Sequence, residues 1–313
     1  MQSLAASGVA DVVAAADPSA QARAAVAETL PDTEIASDLD SLLASDLDGI
    51  VIATPSALHA EQAISALAQG VAVYCQKPLA RNRLETRRVL EAARRADRLL
   101  AVDLCYRNAD AAQALRRTVQ SGELGGIYAA DLVFHNAYGP DKPWFTQRSL
   151  SGGGCLIDLG THLIDLALWL TRSAGAEIVS ARLLRRGRPV DIAADAVEDF
   201  ALAELRTDAG TTVRLACSWF LPAGQDCVFE CTLYGTEGAV AMRNLDGSFY
   251  DFAAERYDGT RRHRLSRAGE DWGARGIAAW AQRLGPANRF DAAGATELDA
   301  LSGILDEIYE AGR

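Results

Sequence analysis

Hydrophobic and polar positions form two kinds of run along the first third of the chain. Short, nearly continuous apolar runs predict strands, and apolar positions recurring every three to four residues predict helices between them. Because strands covered on both faces read as continuous apolar runs, this alternation predicts a parallel, doubly wound sheet. The predicted strands are residues 9–16, 49–53, 71–75 and 99–105, and the predicted helices are residues 19–29, 57–69 and 82–96.

The pattern changes after residue 105, where a predicted helix at about 109–120 and a strand at 127–136 precede a loop rich in proline, glycine and aromatic residues. Between residues 177 and 263, strand-like runs follow one another with turn residues and no helix between them. Strands joined in this way predict a mainly antiparallel sheet. The expected fold is therefore α/β, with a parallel-sheet domain at residues 1–105 and an α+β domain with an open, mainly antiparallel sheet at residues 106–313, which ends in helices at about 272–284 and 295–311.

One stretch, residues 151–170, combines a glycine run with two polar residues in helical register. After Gly152–Gly154, apolar positions recur with a helical period, and Asp158 and His162 stand four residues apart. On an α-helix this spacing puts both side chains on one face, where a carboxylate and an imidazole can act as a coupled acid/base pair. A core helix with a solvated acidic face has the same pattern, so the residues alone leave both interpretations open.

Composition is that of an ordinary soluble protein and narrows the range of partners. The chain has 313 residues, is 49% hydrophobic and 23% charged, and carries a net charge of −11 with a pI near 4.9. That acidity, without a basic cluster, argues against nucleic acid or an anionic membrane as a partner. No uninterrupted apolar run reaches the roughly 18–20 residues of a membrane span, and the N-terminus lacks the charged start of a signal peptide. The six cysteines show no C-x-x-C pair and no zinc-ligand spacing, which favours reduced thiols in a cytoplasmic protein.

Polar residues follow three of the predicted parallel strands, at the edge where ligands of such sheets bind. Asp17 follows the first strand, and an acid there binds the ribose hydroxyls of a dinucleotide, although Asp17-Pro18 is equally typical of a helix N-cap. Thr54-Pro55 follows the second strand and suits either a cofactor contact or simple helix initiation. Lys77-Pro78 follows the third, where a lysine beside a stiff turn favours a functional role over a solvated cation.

A dinucleotide site also needs a glycine-rich turn, G-x-G-x-x-G, between its first strand and its first helix. The chain has no match: Gly152 and Gly154 have the first spacing, but Ile157 stands where the third glycine would fall. The first residues, MQSLAASG, read as the end of a helix that stops at Gly8. If that helix is the first of the fold, we expect the first strand and its glycine turn, about a dozen residues or more, to lie upstream of Met1; the alternative is a sheet that begins at Val9.

Taken together, these segments resemble the glucose–fructose oxidoreductase/inositol dehydrogenase (Gfo/Idh/MocA) family over nearly the whole chain. The specific segments are ATPSALHAEQAISALAQGVAVYCQKPLA at 53–80 and SGGGCLIDLGTHLIDLALWL at 151–170, which keep the family's order and separation. Weaker matches are ADPS at 16–19, YRNADAAQALRRTVQSGELG at 106–125 and YGTEGAV at 234–240. The resemblance implies an N-terminal Rossmann domain and a C-terminal domain whose open antiparallel sheet packs face to face in homodimers or homotetramers.

The resemblance also implies roles for individual residues. Lys77 matches the family lysine between nicotinamide and substrate, and Asp158 and His162 match the family's acid/base pair. The family's Glu-Lys-Pro is Gln76-Lys77-Pro78 in this chain, with a Lys-Pro bond that is often cis in similar proteins. The glutamine removes a charge that could position or tune the lysine.

The activity implied by the resemblance is oxidation of a secondary hydroxyl of a sugar, polyol or related cyclic alcohol, with hydride passing to NAD. His162 would accept the hydroxyl proton, Asp158 would orient His162 or hold a substrate hydroxyl, and Lys77 would stabilise the oxygen as it becomes a carbonyl. Asp17 favours NAD, while Arg23 nearby keeps NADP as an alternative. The expected cofactor contacts are Asp17, Thr54, Pro55, His59, Gln76 and Lys77, the expected substrate contacts are Arg107, Tyr138, Trp144 and Arg148, and no metal is expected.

Two other functions stay open from the sequence. Some relatives keep bound NAD and use it transiently to eliminate a group, acting as glycosidases or lyases without net redox. A truncated member could instead bind a sugar without turnover. The lack of a glycine-rich turn favours this hypothesis of a non-catalytic protein. The presence of Lys77, Asp158 and His162 argues against it.

Overall fold

The computed structural model describes residues 2–191, 195–266, 269, 271–285 and 287–312. Its N-terminal part alternates short strands with helices, as the hydrophobic pattern predicts. These elements are α1 (Gln2–Ser7), β1 (Ala14–Ala16), α2 (Ala20–Thr29), β2 (Glu34–Ala36), α3 (Leu39–Leu43), β3 (Gly49–Ile52), α4 (Ser56–Ala68), β4 (Ala72–Cys75), α5 (Arg83–Ala96) and β5 (Leu100–Val102).

The parallel strands pair in two groups. β1 pairs with β2, and β3, β4 and β5 lie side by side in that order, all of them parallel. β1 and β3 each pair along one edge only, so the single parallel sheet expected from the sequence is divided into two. The sequence pattern also missed β2 and α3, because three and five residues are too few to show a period.

Strand β4 is covered on both faces. Val73 and Cys75 pack with residues of α4 and α5, while Ala72 and Tyr74 pack with Trp280 on the opposite face. All four residues of the strand are buried. A strand without a solvent face has no position for a polar side chain, which explains its unbroken apolar sequence.

The rest of the chain forms a nine-stranded sheet against helices. Its elements are α6 (Asp110–Gln120), β6 (Ile127–Asn136), α7 (Arg148–Ser151), α8 (Thr161–Thr171), β7 (Ala176–Arg185), β8 (Arg188–Pro189), β9 (Phe200–Thr207), β10 (Thr212–Ser218), β11 (Cys227–Gly235), β12 (Gly238–Asn244), β13 (Phe252–Asp258), β14 (Arg261–Arg264), α9 (Arg275–Ala281) and α10 (Ala292–Ala311). The sheet order is β14-β13-β12-β11-β6-β10-β9-β7-β8, and every pair is antiparallel except β6 and β10. The prediction of a mainly antiparallel sheet is therefore confirmed.

This sheet has one buried face and one open face. Along β9, Ala201, Ala203 and Leu205 are buried in the core with residues of α6, α8 and α10. Leu202, between them, is exposed. Side chains of a strand alternate between its two faces, so the helices cover one face only.

The central stretch is a helix in three pieces. α7 ends at Gly152, whose φ of 89° only glycine adopts readily, and a π-helical turn at Leu156–Gly160 then leads into α8. By length and composition residues 148–171 could cross a membrane, yet 89% of the apolar window is buried inside the protein. Such burial is typical of the core helix of a folded domain.

Helix α10 joins the two halves of the molecule. Leu298 packs in the core of the parallel strands, while Leu301 and Ile304 pack in the core of the antiparallel sheet. Its Asp299 accepts ion-pair hydrogen bonds from Arg83 and Arg87 of α5, at 2.9 and 2.7 Å. α10 therefore helps to hold the carboxyl end of β4 next to the π-helical turn.

Candidate active site

Lys77 lies at the carboxyl end of β4 and reaches across to the π-helical turn. Its Nζ donates to Oδ1 of Asp158 at 2.5 Å and to the backbone oxygen of Asp158 at 2.8 Å. The Lys77-Pro78 peptide bond is cis. The structure therefore brings together the two residues that the sequence singled out from segments far apart in the chain.

Both carboxylate oxygens of Asp158 have a hydrogen-bond donor. Oδ1 accepts from Lys77, and Oδ2 accepts from the indole Nε1 of Trp219 at 3.1 Å. Trp219 follows β10 and is buried. No local sequence pattern indicates this contact, because the tryptophan lies 61 residues from the aspartate.

His162 is buried beside this pair but is not bonded to Asp158. Its ring packs edge-on against Tyr106, with centroids 4.8 Å apart, and its Nδ1 has no hydrogen-bond partner in the described part of the chain. The expected orientation of His162 by Asp158 is therefore not seen. A spacing of four residues places two side chains on one face of an α-helix. Asp158, however, lies in a wider π-helical turn, so it does not stand over His162 in this way. Burial, with a smaller effect from the Lys77 charge, lowers the pKa of His162 well below its usual value.

Gln76 holds a carboxylate from the neighbouring strand. Its Nε2 donates to Oδ2 of Asp103 at 2.7 Å, and the Tyr74 hydroxyl donates to Oδ1 at 2.7 Å. Asp103 follows β5, which ends at Val102, whereas the apolar run in the sequence predicted a strand that continues to residue 105. Asp103 was therefore not recognised as a strand-end residue. An acidic group is thus present next to Gln76, although position 76 itself has lost the family's glutamate.

His59 connects the turn after β3 to the turn after β4. Its Nδ1 lies 2.7 Å from the carbonyl oxygen of Pro78, and its Nε2 lies 2.7 Å from that of Thr54. The side chain is buried, and burial lowers its pKa. A neutral imidazole donates through one nitrogen only, so His59 bonds one of these carbonyls and lies against the other, which places it between the two turns. The expected cofactor contact of His59 stays a prediction.

Asp17 stands at the carboxyl end of β1, where its side chain shapes the following turn. Its Oδ1 accepts the amide of Ser19 at 2.7 Å, and Ser19, not Asp17, is the N-cap of α2. Arg23 donates to the backbone oxygens of Asp17 and Pro18 at 2.7 and 3.0 Å. The expected ribose contact of Asp17 stays a prediction.

Arg107 is held in an ion pair inside the fold. Its guanidinium binds Asp165 of α8 through two nitrogens, at 2.6 to 3.0 Å, and Glu297 of α10 at 2.8 Å. Asp165 is buried. This placement gives the Arg107 guanidinium structural partners on α8 and α10, and its expected substrate contact stays a prediction.

The other three residues expected to contact substrate lie near the end of the sheet where Trp219 meets Asp158. Tyr138 follows β6 and is half exposed. Trp144 stacks on Phe145 with ring centroids 3.8 Å apart, and Phe145 lies edge-on to Trp219 at 6.4 Å. Arg148 starts α7, with its guanidinium 4.5 Å from the ring centroid of Tyr309.

Phe220 is a further aromatic residue at this end of the sheet. It directly follows Trp219, is 58% exposed, and has a φ of 61°, a conformation that bulky side chains rarely adopt. Its ring lies on Gly139, where any side chain would overlap it. The sequence pattern gave no signal for Phe220, since a strained backbone cannot be read from residue types.

The strand-end residues fit the nicotinamide end of a dinucleotide. Thr54, Pro55, Gln76 and Lys77 lie partly exposed at the ends of the adjacent strands β3 and β4, and the charge of Lys77 acts on His162, whose Nδ1 has no partner among the described residues. None of the strand-to-helix turns in the described ranges carries a G-x-G-x-x-G motif. Among the described residues, no group of three or more His, Cys, Asp and Glu side chains is arranged to hold a metal ion.

Comparison with protein families gives two matches that together cover most of the chain. Residues 1–104 match the model of an oxidoreductase family with an NAD-binding Rossmann fold. Residues 112–241 match the model of a GFO/IDH/MocA C-terminal domain.

Curated relatives are similar over part of their length. The chain is 35% identical over 249 residues to a putative UDP-kanosamine synthase oxidoreductase subunit of Amycolatopsis mediterranei, covering 74% of this chain and 68% of that protein. It is 30% identical over 202 residues to the 1,5-anhydro-D-fructose reductase of Ensifer adhaerens, covering 64% of this chain and 58% of that protein. The matches thus span about three fifths to two thirds of these relatives.

The fold is also similar to solved structures. A 3-ketoreductase from Actinomadura kijaniata, solved with NADP and TDP-benzene, superposes with a TM-score of 0.84 over 98% of this chain and 91% of its own. Its sequence identity of 21% makes this a similarity of fold.

Proposed function

The chain belongs to the GFO/IDH/MocA oxidoreductase family, and from this membership we propose that it oxidises a secondary hydroxyl of a sugar, polyol or related cyclic alcohol, with hydride passing to NAD. The observation that carries the proposal is the pairing of Lys77 with Asp158 beside the buried His162. These three side chains meet at the carboxyl ends of parallel strands, where ligands of such sheets bind.

The proton chemistry follows from the charges of these groups. A general base must be neutral before it can accept a proton, and the lowered pKa keeps His162 neutral near pH 7. Lys77 presents a positive charge to the hydroxyl oxygen, which stabilises negative charge as the carbonyl forms. Asp158 and its partner Trp219 hold the Lys77 ammonium in place. NAD, when bound, supplies the hydride acceptor.

The proposed cofactor contacts are at the strand ends. Thr54, Pro55, Gln76 and Lys77 would line the nicotinamide end, and Asp17 would bind the adenosine ribose. Nη1 of Arg23 donates to the backbone oxygens of Asp17 and Pro18, so this nitrogen is already bonded within the turn, which supports NAD over NADP.

The proposed substrate site is bordered by aromatic rings. Tyr138, Trp144 and Phe220 come from loops at the same end of the antiparallel sheet as Asp158, and Arg148 lies near them at the start of α7. Flat apolar rings suit the C–H face of a sugar or cyclic polyol, whose hydroxyls point outward from the ring edge. This border therefore supports a cyclic substrate.

A homo-oligomer built on the open face of the sheet completes the proposal. Exposed Leu202 on the open face of this broad sheet supports such an interface. A cytoplasmic location is supported by the six free cysteines, five of which are buried. Light scattering of the wild type and of Leu202→Glu tests the interface. A charge buried in the interface should dissociate the oligomer and so lower the molecular mass measured in solution.

The test of the activity is to incubate the protein with NAD and a panel of free sugars, cyclic polyols and glycosides. Accumulation of NADH with at least one of them is the expected result. Product formation without net NADH would indicate the glycosidase or lyase reaction instead. NAD binding is measured separately by tryptophan fluorescence. If no product forms and no NAD binds, the proposal is contradicted.

A further inference from the structure

Glu198 is a fully buried carboxylate with no part in the chemistry described so far. It lies just before β9. Its Oε1 accepts hydrogen bonds from the amides of Gly154 and Leu156, both at 3.0 Å, and from the Tyr309 hydroxyl at 2.8 Å. Its Oε2 has no partner within the described ranges. One oxygen thus collects three donors, and two of them belong to the turn that leads to Asp158.

Hydrogen bonds continue from this carboxylate to Asp158. Gly154 donates its amide to Glu198, and its own carbonyl oxygen accepts the amide of Asp158 at 3.1 Å. The backbone oxygen of Glu198 accepts the amide of Cys155 at 3.0 Å. Three successive amides are therefore bonded to one residue at the point where the π-helical turn begins.

The glycines before this turn are required by the same contacts. A Cβ at Gly153 would overlap the Tyr309 hydroxyl, and a Cβ at Gly154 would overlap the backbone oxygen of Glu198. Burial raises the pKa of Glu198, and the hydrogen bonds from the amides and from Tyr309 oppose this rise. Because amides and a hydroxyl hold Oε1, a neutral acceptor of the same shape can replace it.

We infer that Glu198 is a positioning residue, which fixes Asp158, and through it Lys77, by accepting the amides of the glycine turn. This inference rests on the proposed function, because it concerns the placement of the same ion pair. A misplacement of about 1 Å can cost about 10²-fold in rate. The loss is expected in kcat rather than in KM, since Glu198 lies behind the turn and does not touch the substrate.

The experiment compares Glu198→Met with Glu198→Gln. Methionine removes the acceptor at nearly the same length, whereas glutamine keeps it. Hydrogen–deuterium exchange of peptides spanning residues 151–162 is measured together with steady-state kinetics, using NAD and a sugar that the wild type oxidises. We expect Glu198→Met to speed exchange of the glycine-turn amides about ten-fold and to lower kcat about 10²-fold, while Glu198→Gln stays near wild type. Glu230→Met, which removes a surface partner of Arg243, is the control and should change neither.

Each outcome decides for or against the inference. Wild-type exchange and kcat in Glu198→Met, or an equal loss in Glu198→Gln, overturns it. If the wild type has no dehydrogenase activity, the proposed function fails, while the exchange data still decide the positioning role. If Glu198→Met does not fold, Tyr309→Phe removes a single donor and should speed exchange of the same amides by a smaller factor, and unchanged exchange there overturns the inference.

Discussion

The Nζ atom of Lys77 lies 2.5 Å from Oδ1 of Asp158, although the two residues are 81 positions apart. The ion pair joins the end of a parallel strand to the π-helical turn that leads into α8, and both side chains are largely shielded from solvent. These contacts fix the position of the Lys77 ammonium. Stabilisation of a developing oxyanion requires a positive charge that is fixed in place before the reaction.

Replacing Lys77 with methionine should therefore lower turnover sharply. Removal of one such stabilising group usually costs about 10²–10³-fold in kcat. The chain has one other lysine, Lys142, which is exposed and also precedes a proline. Lys142→Met is the matched control and should keep wild-type kcat with NAD and sugar. Equal activity of the two variants would contradict the role of Lys77.

His162→Gln should lower turnover by about 10²–10⁴-fold, because glutamine cannot take up the hydroxyl proton. Since burial lowers the pKa of His162 well below 6.5, the imidazole stays neutral at that pH, and wild-type kcat should fall only at lower pH. His263→Gln, at an exposed position on β14, is the control. A wild-type kcat that already declines as the pH falls from 7.5 to 6.5 would argue against His162 as the base.

The sequence predicted the elements whose causes are local. Continuous apolar runs marked β3 and β4, and the strand-end position of Lys77 followed from them. The glycine run likewise marked the start of the central helix. Each of these signals lies within a few residues of the feature that it predicts.

The rest of the site depends on contacts between distant segments. Trp219 bonds Asp158 from 61 residues away, and Glu198 bonds the amides of Gly154 and Leu156 from 44 and 42 residues away. No local period in the sequence signals such contacts. The π-helical turn was missed for a related reason, because its apolar pattern is the same as that of an α-helix. Asp103 was missed because the predicted strand continued to residue 105, whereas the observed strand ends at Val102, directly before it.

Arg107→Met should destabilise the fold by about 3 kcal/mol, because it leaves the buried Asp165 without its partner. The double variant Arg107→Met/Asp165→Leu should recover most of this loss, since it removes both buried charges. Urea unfolding of the three proteins measures the effect. A raised KM for sugar in Arg107→Met with unchanged stability would instead assign Arg107 to the substrate, as the sequence suggested.

Phe220→Gly should separate the backbone strain of this residue from its binding role. Glycine adopts a positive φ freely, so Phe220→Gly should be more stable than Phe220→Ala by about 1 kcal/mol. Both variants lose the ring and should raise the KM for sugar about ten-fold, with little change in kcat. Tyr128→Ala, which removes an exposed ring at the start of β6, is the control. An unchanged KM in both Phe220 variants would remove this ring from the substrate site.

Stability should fall as the pH is lowered from 7.5 to 5.5. Burial lowers the pKa of His59, His135 and His162 in the folded protein, so the unfolded chain binds more protons below its usual histidine pKa of about 6.5. The stability that these neutral rings contribute is complete above that pH and is lost as the pH falls through the lowered values. Each histidine can contribute a slope of up to about 1.4 kcal/mol per pH unit.

Two buried acids act in the opposite direction and must be separated from this effect. Burial raises the pKa of Asp165 and Glu198, so their contribution to stability grows as the pH falls. Urea unfolding at pH 7.5, 6.5 and 5.5 gives the net slope, and repeating it with His135→Asn isolates one histidine, since His135 is held by Ser218 away from Lys77. The variant should show a smaller loss of stability between pH 6.5 and 5.5 than the wild type, because one proton fewer is taken up on unfolding. Equal slopes in the two proteins would show that burial of His135 does not lower its pKa.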